Sequence, residues 1–191
     1  MIKKIKRDIC IIKYRSFPLS AHEKETDSDV YHYPNCKSVY WLKLENESSK
    51  KLTNQFLKLI ESLRIENLII LGKINKPWIS KLTSKRKDHK PLIKTLEYFK
   101  SQNITTKFNG GLQLDIHELK SFFPHFYLIT RCDGGFFDFH IMDEKQNIIF
   151  YVHYSGEIEI MILNEKFNKK ILKEIKKTDF VDSMRTNSDR I

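Results

Sequence analysis

Residues 125–163 read HFYLITRCDGGFFDFHIMDEKQNIIFYVHYSGEIEIMIL, and this stretch decides the predicted fold. Runs of β-branched and aromatic residues alternate with short turn-forming segments, an order typical of consecutive antiparallel strands. The runs cover residues 125–131, 136–142, 147–153 and 157–163. The sequence therefore predicts a four-stranded antiparallel meander.

Strands and helices alternate ahead of this meander. Alternating and β-branched runs predict strands at 9–15, 38–44, 66–72 and 104–109. Apolar residues at helical spacing predict helices from Ser48 or Ser49 to Leu63, at 91–102, from Asp115 to a stop at Pro124, and at 165–177. The predicted fold class is α+β, in which a mixed strand-helix N-terminal half packs with the C-terminal four-stranded antiparallel meander and closing helix.

The length of 191 residues fits one domain. We predict a single α+β domain at 1–177, divisible into halves at 1–111 and 112–177, and a polar, frayed tail at 178–191. No apolar run is long enough to span a bilayer and no secretory signal is visible, which predicts a cytoplasmic protein without a membrane partner. Three cysteines without Cys-x-x-Cys spacing indicate reduced thiols.

Motifs for catalysis are missing from the sequence. It contains no Gly-x-Ser-x-Gly elbow, no phosphate-binding glycine loop and no paired zinc-ligand spacing. We therefore predict no catalytic residue, no metal and no cofactor.

The formal net charge of +10 is concentrated in one segment. Residues 73–94 carry eight basic side chains against a single acid, Asp88. A focused positive field of this kind favours a polyanion or an acidic protein surface as partner. Most of the basic residues of the chain are lysines, which an AT-rich genome would also produce, and nucleic-acid sites draw more on arginine. The segment therefore indicates an anionic partner without specifying its class.

Two groups of residues are candidates for contact with a partner. The first is this basic segment, and the second is an aromatic concentration ahead of the strand at 38–44, because tyrosine and tryptophan are enriched at interfaces. The predicted partner-binding residues are Lys73, Lys76, Trp78, Lys81, Lys85, Arg86, Lys87, Lys90, Tyr31 and Tyr33.

The meander also carries a candidate polar site. Alternation places Asp138 and His140 on the same face of one strand, and His153 lies on the next strand. With Asp133 or Asp143 nearby, these side chains would suit a metal or a general acid/base pair, although an exposed, solvated sheet face explains the same pattern.

Two functions from different classes follow. The first is a non-enzymatic protein-binding module, most plausibly a bacterial immunity protein or antitoxin that neutralises a partner toxin through direct binding. Such a protein needs only shape and charge complementary to its target, and a basic blocker implies an acidic patch on that target. The alternative is a nucleic-acid-binding protein or metal-dependent nuclease that uses residues 73–94 for phosphate contacts.

Overall fold

A computed structural model describes residues 2–46, 48–73, 76–134, 136 and 139–191; within these ranges the side chains of Ala21, His22, Asp29 and Tyr31 lie outside the description. The strands are β1 (Lys3–Ile5), β2 (Leu19–Glu23), β3 (Ser28–His32), β4 (Ser38–Leu44), β5 (Asn67–Leu71), β6 (Gly111–Asp115), β7 (His140–Asp143), β8 (Ile148–Val152), β9 (Ile158–Ile162) and β10 (Phe180–Asp182). The α-helices are α1 (Arg7–Lys13), α2 (Ser49–Ser62), α3 (Lys90–Ser101), α4 (Ile116–Cys132) and α5 (Glu165–Ile175). A short 3₁₀-helix spans Thr83–Lys85.

Eight of these strands form one antiparallel sheet in the order β1-β6-β5-β7-β8-β9-β4-β10, and β2 pairs with β3 in a separate hairpin. The fold class is therefore α+β, as predicted. The two predicted halves share this single sheet, because β5 of the N-terminal half pairs with β7.

The two faces of the sheet are covered unequally. One face carries the large core, in which Phe56 of α2 packs against Phe150 of the sheet and stacks on Phe123 of α4. The other face carries a smaller core around α1, with Cys10 and Tyr14 buried against the sheet. Burial on both faces explains why β8 and β9 are mostly apolar and why all four residues of β7 are buried.

The strand predicted at 9–15 is wrong, because α1 occupies Arg7–Lys13. Its β-branched run favours a strand locally, but the helix places Cys10 and Tyr14 one turn apart on the buried side. A Cβ at Gly111 would lie 2.6 Å from the Cys10 sulfur, so this close approach of helix and sheet requires glycine. Tertiary packing therefore outweighs the local preference.

The first strand of the predicted meander is also wrong. Residues 125–131 belong to α4, which continues through Pro124 to Cys132, so the meander has three strands, β7, β8 and β9. A proline inside a helix costs about 3 kcal/mol, and each buried large apolar side chain gains about 2 kcal/mol. Phe126, Tyr127 and Ile129 are all buried beyond the proline, and together they offset its cost.

The predicted helix starts at Ser48 and Asp115 are confirmed. The Ser48 hydroxyl accepts a hydrogen bond from the Lys51 amide at the start of α2. At α4, Asp115 accepts from the Glu118 amide at 2.8 Å, while Glu118 accepts from the Asp115 amide at 3.0 Å. This reciprocal pair is a capping box.

Replacing Asp115 by alanine is expected to lower the free energy of unfolding by about 1 kcal/mol, because the Glu118 amide loses its acceptor. Urea denaturation of Asp115→Ala beside wild type measures the change. Asp115→Asn is the control, since its side-chain oxygen still caps the helix, and an equal loss in both variants would contradict the capping role.

A frayed tail is predicted at 178–191, but the structure shows this segment hydrogen-bonded to the sheet. Strand β10 pairs with β4, and beyond it the Asp189 amide donates to the Val39 carbonyl at 2.7 Å. The Ser188 hydroxyl accepts a hydrogen bond from the Trp41 amide at 2.9 Å. The C-terminal segment therefore borders the second face of the sheet. Within the described ranges, no helix combines the length and apolar composition that crossing a membrane requires.

Candidate binding surfaces

The basic segment is held in place by three anchors. Trp78 is 1% exposed and donates its indole N–H to the Gly110 carbonyl at 2.8 Å. The Ser80 amide donates to the Asp133 carboxylate at 3.0 Å. Arg86 donates to the Cys132 carbonyl at 3.1 Å. Residues 78–86 of the segment are therefore fixed to the start of β6 and to the end of α4.

Between these anchors, lysines face solvent. We define the basic surface as the exposed side chains of this segment, Lys76, Lys81, Leu82, Lys85, Lys87 and Lys90. Within the described residues, no carboxylate lies at ion-pair distance from these lysines. Asp88 is paired with Arg86, which raises the pKa of that guanidinium and lowers the pKa of the carboxyl through their hydrogen bonds. The positive charge of the lysines is therefore not neutralised locally.

The predicted partner-binding residues are not all exposed in the structure. Trp78 belongs to the large core, where its ring packs against Phe139 and Phe136, so it anchors the segment and does not face a partner. Lys73 and Arg86 are half-buried. Tyr31 lies on β3, and its side chain is outside the described part of the structure.

A groove lies on the second face of the sheet, beside the area that α1 covers. Its volume is about 540 Å³. Side chains on four neighbouring strands form its floor: Val39, Trp41, His140, Tyr151, Glu159 and Met161. Its walls are Tyr33, Pro34 and Cys36, which follow the β2–β3 hairpin, and Asn187 near the C-terminus. We call this cavity the aromatic groove.

Glu159 is the acidic group of the floor. Its register partners are Trp41 on β4 and Tyr151 on β8, so its carboxyl lies between two aromatic side chains. Burial raises its pKa to about 7, and the Trp41 indole and Arg185 oppose part of that rise. The indole Nε1 of Trp41 is buried and makes no hydrogen bond of normal geometry among the described residues.

Arg185 lies beside the aromatic groove, over the ring of Trp41. Its guanidinium carbon lies 4.0 Å from the centre of the Trp41 ring, and its nitrogens donate to the Glu157 carboxylate. These hydrogen bonds lower the pKa of Glu157. His153 stands beside them, 6.1 Å from Trp41 between ring centres, and burial followed by the Arg185 charge lowers its pKa. Arg185 is therefore already matched with a carboxylate.

Of the candidate polar site, only the two histidines lie near each other in the described structure. His140 and His153 share the second face of the sheet on either side of Tyr151, at 5.4 Å and 6.2 Å from its ring centre. Asp133 is separate, because it lines a different cavity beside the basic surface. Asp138 lies outside the described residues. Among the residues that are described, no three histidine, cysteine or acidic side chains are grouped as metal ligands.

The sequence reasoning missed Glu159 and Arg185 as members of a site. The sequence contains one signal for Glu159, which is its position within an otherwise apolar strand, IEIMI. Burying a carboxyl there is unfavourable unless it has a partner or a role. Arg185 has no local signal, because its position depends on the C-terminal segment returning along β4.

Comparison with known proteins identifies no relative. No family model matches the chain, and neither a curated protein nor a solved structure does. The surfaces themselves are therefore the basis for a functional proposal.

Proposed function

We propose that this chain is a non-enzymatic protein-binding module, an inhibitor of the immunity-protein or antitoxin kind that neutralises a partner toxin by direct binding. The observation that carries the proposal is the basic surface, where an exposed apolar side chain stands among lysines. Leu82 is 79% exposed and projects beside the 3₁₀-helix, with Lys81 and Lys85 close in sequence. An apolar anchor with a charged rim is the usual anatomy of a protein interface.

Order in the basic surface supports the same proposal. Because Trp78 and Arg86 fix the backbone on both sides of Leu82, little conformational entropy is lost when a partner binds. The unneutralised lysines would accelerate encounter with an acidic patch on that partner. The three cysteines are free, which is consistent with the proposed cytoplasmic location.

The proposal is tested with two charge-reversal variants of equal charge. Lys85→Glu with Lys87→Glu alters the basic surface, and Lys50→Glu with Lys169→Glu alters exposed positions on α2 and α5. Tagged chains are used to capture partners from the source organism. We expect the wild type and the second pair to retain a stoichiometric protein, and the first pair to associate with it about tenfold more slowly.

Growth provides the functional readout. The captured protein should arrest growth when expressed alone, and coexpression of the wild-type chain should restore it. Repeated purification of the wild type as a lone chain would overturn the proposal. Equal capture by both charge-reversal pairs would show that the basic surface is not the site that binds the partner.

A nucleic-acid-binding function, the alternative, is favoured by one observation. A second hollow lies near the basic segment, because the Trp78 amide N–H donates to the carbonyl of Phe108 in its lining. Four basic side chains, Lys4, Lys6, Arg7 and Lys107, and one acidic side chain, Asp8, also line it. The positive region is therefore wider than the segment 73–94. Against this function, the single aromatic side chain of that segment able to stack on bases is buried.

This alternative predicts binding to a random oligonucleotide at about 50 mM salt, with an affinity that falls steeply as salt rises. Fluorescence anisotropy measures the slope. Absence of binding at low salt would exclude the alternative.

A further inference from the structure

The rings of the aromatic groove are arranged as a continuous lining. Between ring centres, Tyr33 lies 6.1 Å from His140, His140 lies 5.4 Å from Tyr151, and Tyr151 lies 6.3 Å from Trp41. Tyr33 forms a wall of the groove and is 53% exposed, whereas Trp41 is 6% exposed within the floor. A ligand in this space would touch aromatic surface on more than one side.

Among the described residues, the lining of the groove contains one carboxylate and no lysine or arginine. Glu159 is the carboxyl of the lining, and the nearby Glu157 is matched by Arg185. Ionised Glu159 therefore leaves the floor with a net negative charge that the protein does not neutralise by an ion pair. The close approach of Arg185 to Trp41 places one cation over an aromatic ring of the floor, a geometry that favours positive charge.

We propose that the aromatic groove binds a small organic cation carrying an alkylated ammonium group, held by the Glu159 carboxylate and by the rings of Trp41, Tyr151 and Tyr33. Aromatic surfaces attract such cations through the negative faces of their rings, and the attraction grows when water is excluded. The volume of about 540 Å³ is in the range of small-molecule pockets. The site is separate from the basic surface and does not depend on the function proposed above.

Other ligand classes fit this geometry less well. An anion would be repelled by the ionised Glu159 carboxylate, and a neutral apolar molecule would leave the Glu159 charge buried without compensation. A cation removes that cost, because it supplies the opposite charge in the desolvated space.

Choline is the probe, and dimethylbutanol, in which carbon replaces the charged nitrogen, is its uncharged isostere. The protein contains two tryptophans, so its indole N–H groups give two resonances in a nitrogen-proton correlation spectrum. Trp41 lies in the groove, whereas Trp78 is buried in the opposite core and serves as an internal control. We expect choline to shift the Trp41 resonance saturably and to leave Trp78 unchanged.

Glu159→Gln removes the charge and keeps the size of the side chain. We expect it to weaken choline binding by roughly tenfold or more, with an unchanged Trp78 resonance as proof of folding. Glu97→Gln, at an exposed position on α3, removes the same charge elsewhere and should retain wild-type affinity.

The proposal is overturned by any of three results: no shift of Trp41 with choline, equal binding of the uncharged isostere, or undiminished binding to folded Glu159→Gln. A loss of binding in Glu97→Gln as large as that in Glu159→Gln would likewise overturn it. None of these results bears on partner capture by the basic surface.

Discussion

Glu159→Gln is expected to be more stable than the wild type by about 3 kcal/mol at pH 8 and about equally stable at pH 4. Burial raises the pKa of Glu159 from its ordinary value of 4.5 to about 7. The folded protein therefore holds a proton that the unfolded chain has already released between these two values. Wild-type stability falls as pH rises through that interval, and above about pH 7 the full cost of the buried charge is present.

Glutamine does not titrate, so the variant lacks this cost at high pH. Near pH 4 the wild-type carboxyl is neutral, and the two side chains are then alike in size and charge. The other titratable and charged groups around Glu159 are present in both proteins and cancel in the difference: Cys36, His140, Tyr151, His153, Glu157 and Arg185.

Chemical denaturation of both proteins at several pH values between 4 and 8 measures the difference. Glu97→Gln, at an exposed position, is the control and should show no comparable pH-dependent gain. A difference between Glu159→Gln and wild type that stays constant over this range would contradict a raised pKa at Glu159.

Elements with strong local signals could be predicted from the sequence. Helix α2 follows from the Ser48 cap and its apolar spacing, and α4 begins at its capping box. Strand β4 has the predicted bounds, 38–44. In each case the local pattern and the tertiary packing favour the same structure.

Three predicted elements differ from the structure: residues 104–109 precede β6 and form no strand, and at the other two, packing overrides local preference. The run Ile9–Ile12 favours a strand by residue type, yet α1 forms because a helix buries Cys10 and Tyr14 over Gly111. Helix α4 continues past Pro124 because Phe126 and Tyr127 have buried positions beyond it. Gly111 lies far from α1 in the sequence, and Trp78, which packs against Phe126, lies far from Pro124.

The two binding surfaces also differ in how far the sequence predicts them. The basic surface could be predicted, since its lysines lie close together in one segment of the chain, but the buried position of Trp78 could not. The aromatic groove depends on cross-strand register, which places Trp41 opposite Glu159 although the two are far apart in sequence. Residue types alone do not specify that pairing.

Trp78→Ala is expected to lower the free energy of unfolding by about 4 kcal/mol, the typical cost of removing a large aromatic side chain from a core. Its ring lies 4.4 Å from Phe139 and contacts several other phenylalanines, and its N–H donates to Gly110. The loss would also release the backbone that carries the basic surface. Hydrogen exchange should therefore accelerate over residues 77–90 more than over β9.

Trp78→Phe distinguishes the loss of the segment's anchor from a general loss of stability. Phenylalanine keeps much of the ring contact and loses the hydrogen bond to Gly110, so we expect a cost of about 2 kcal/mol and retained protection of residues 77–90. Leu82→Ala, in the same segment but exposed, should change stability by less than about 0.5 kcal/mol. If Trp78→Ala were as mild as Leu82→Ala, Trp78 would not anchor the segment, and the order of the basic surface would need another cause.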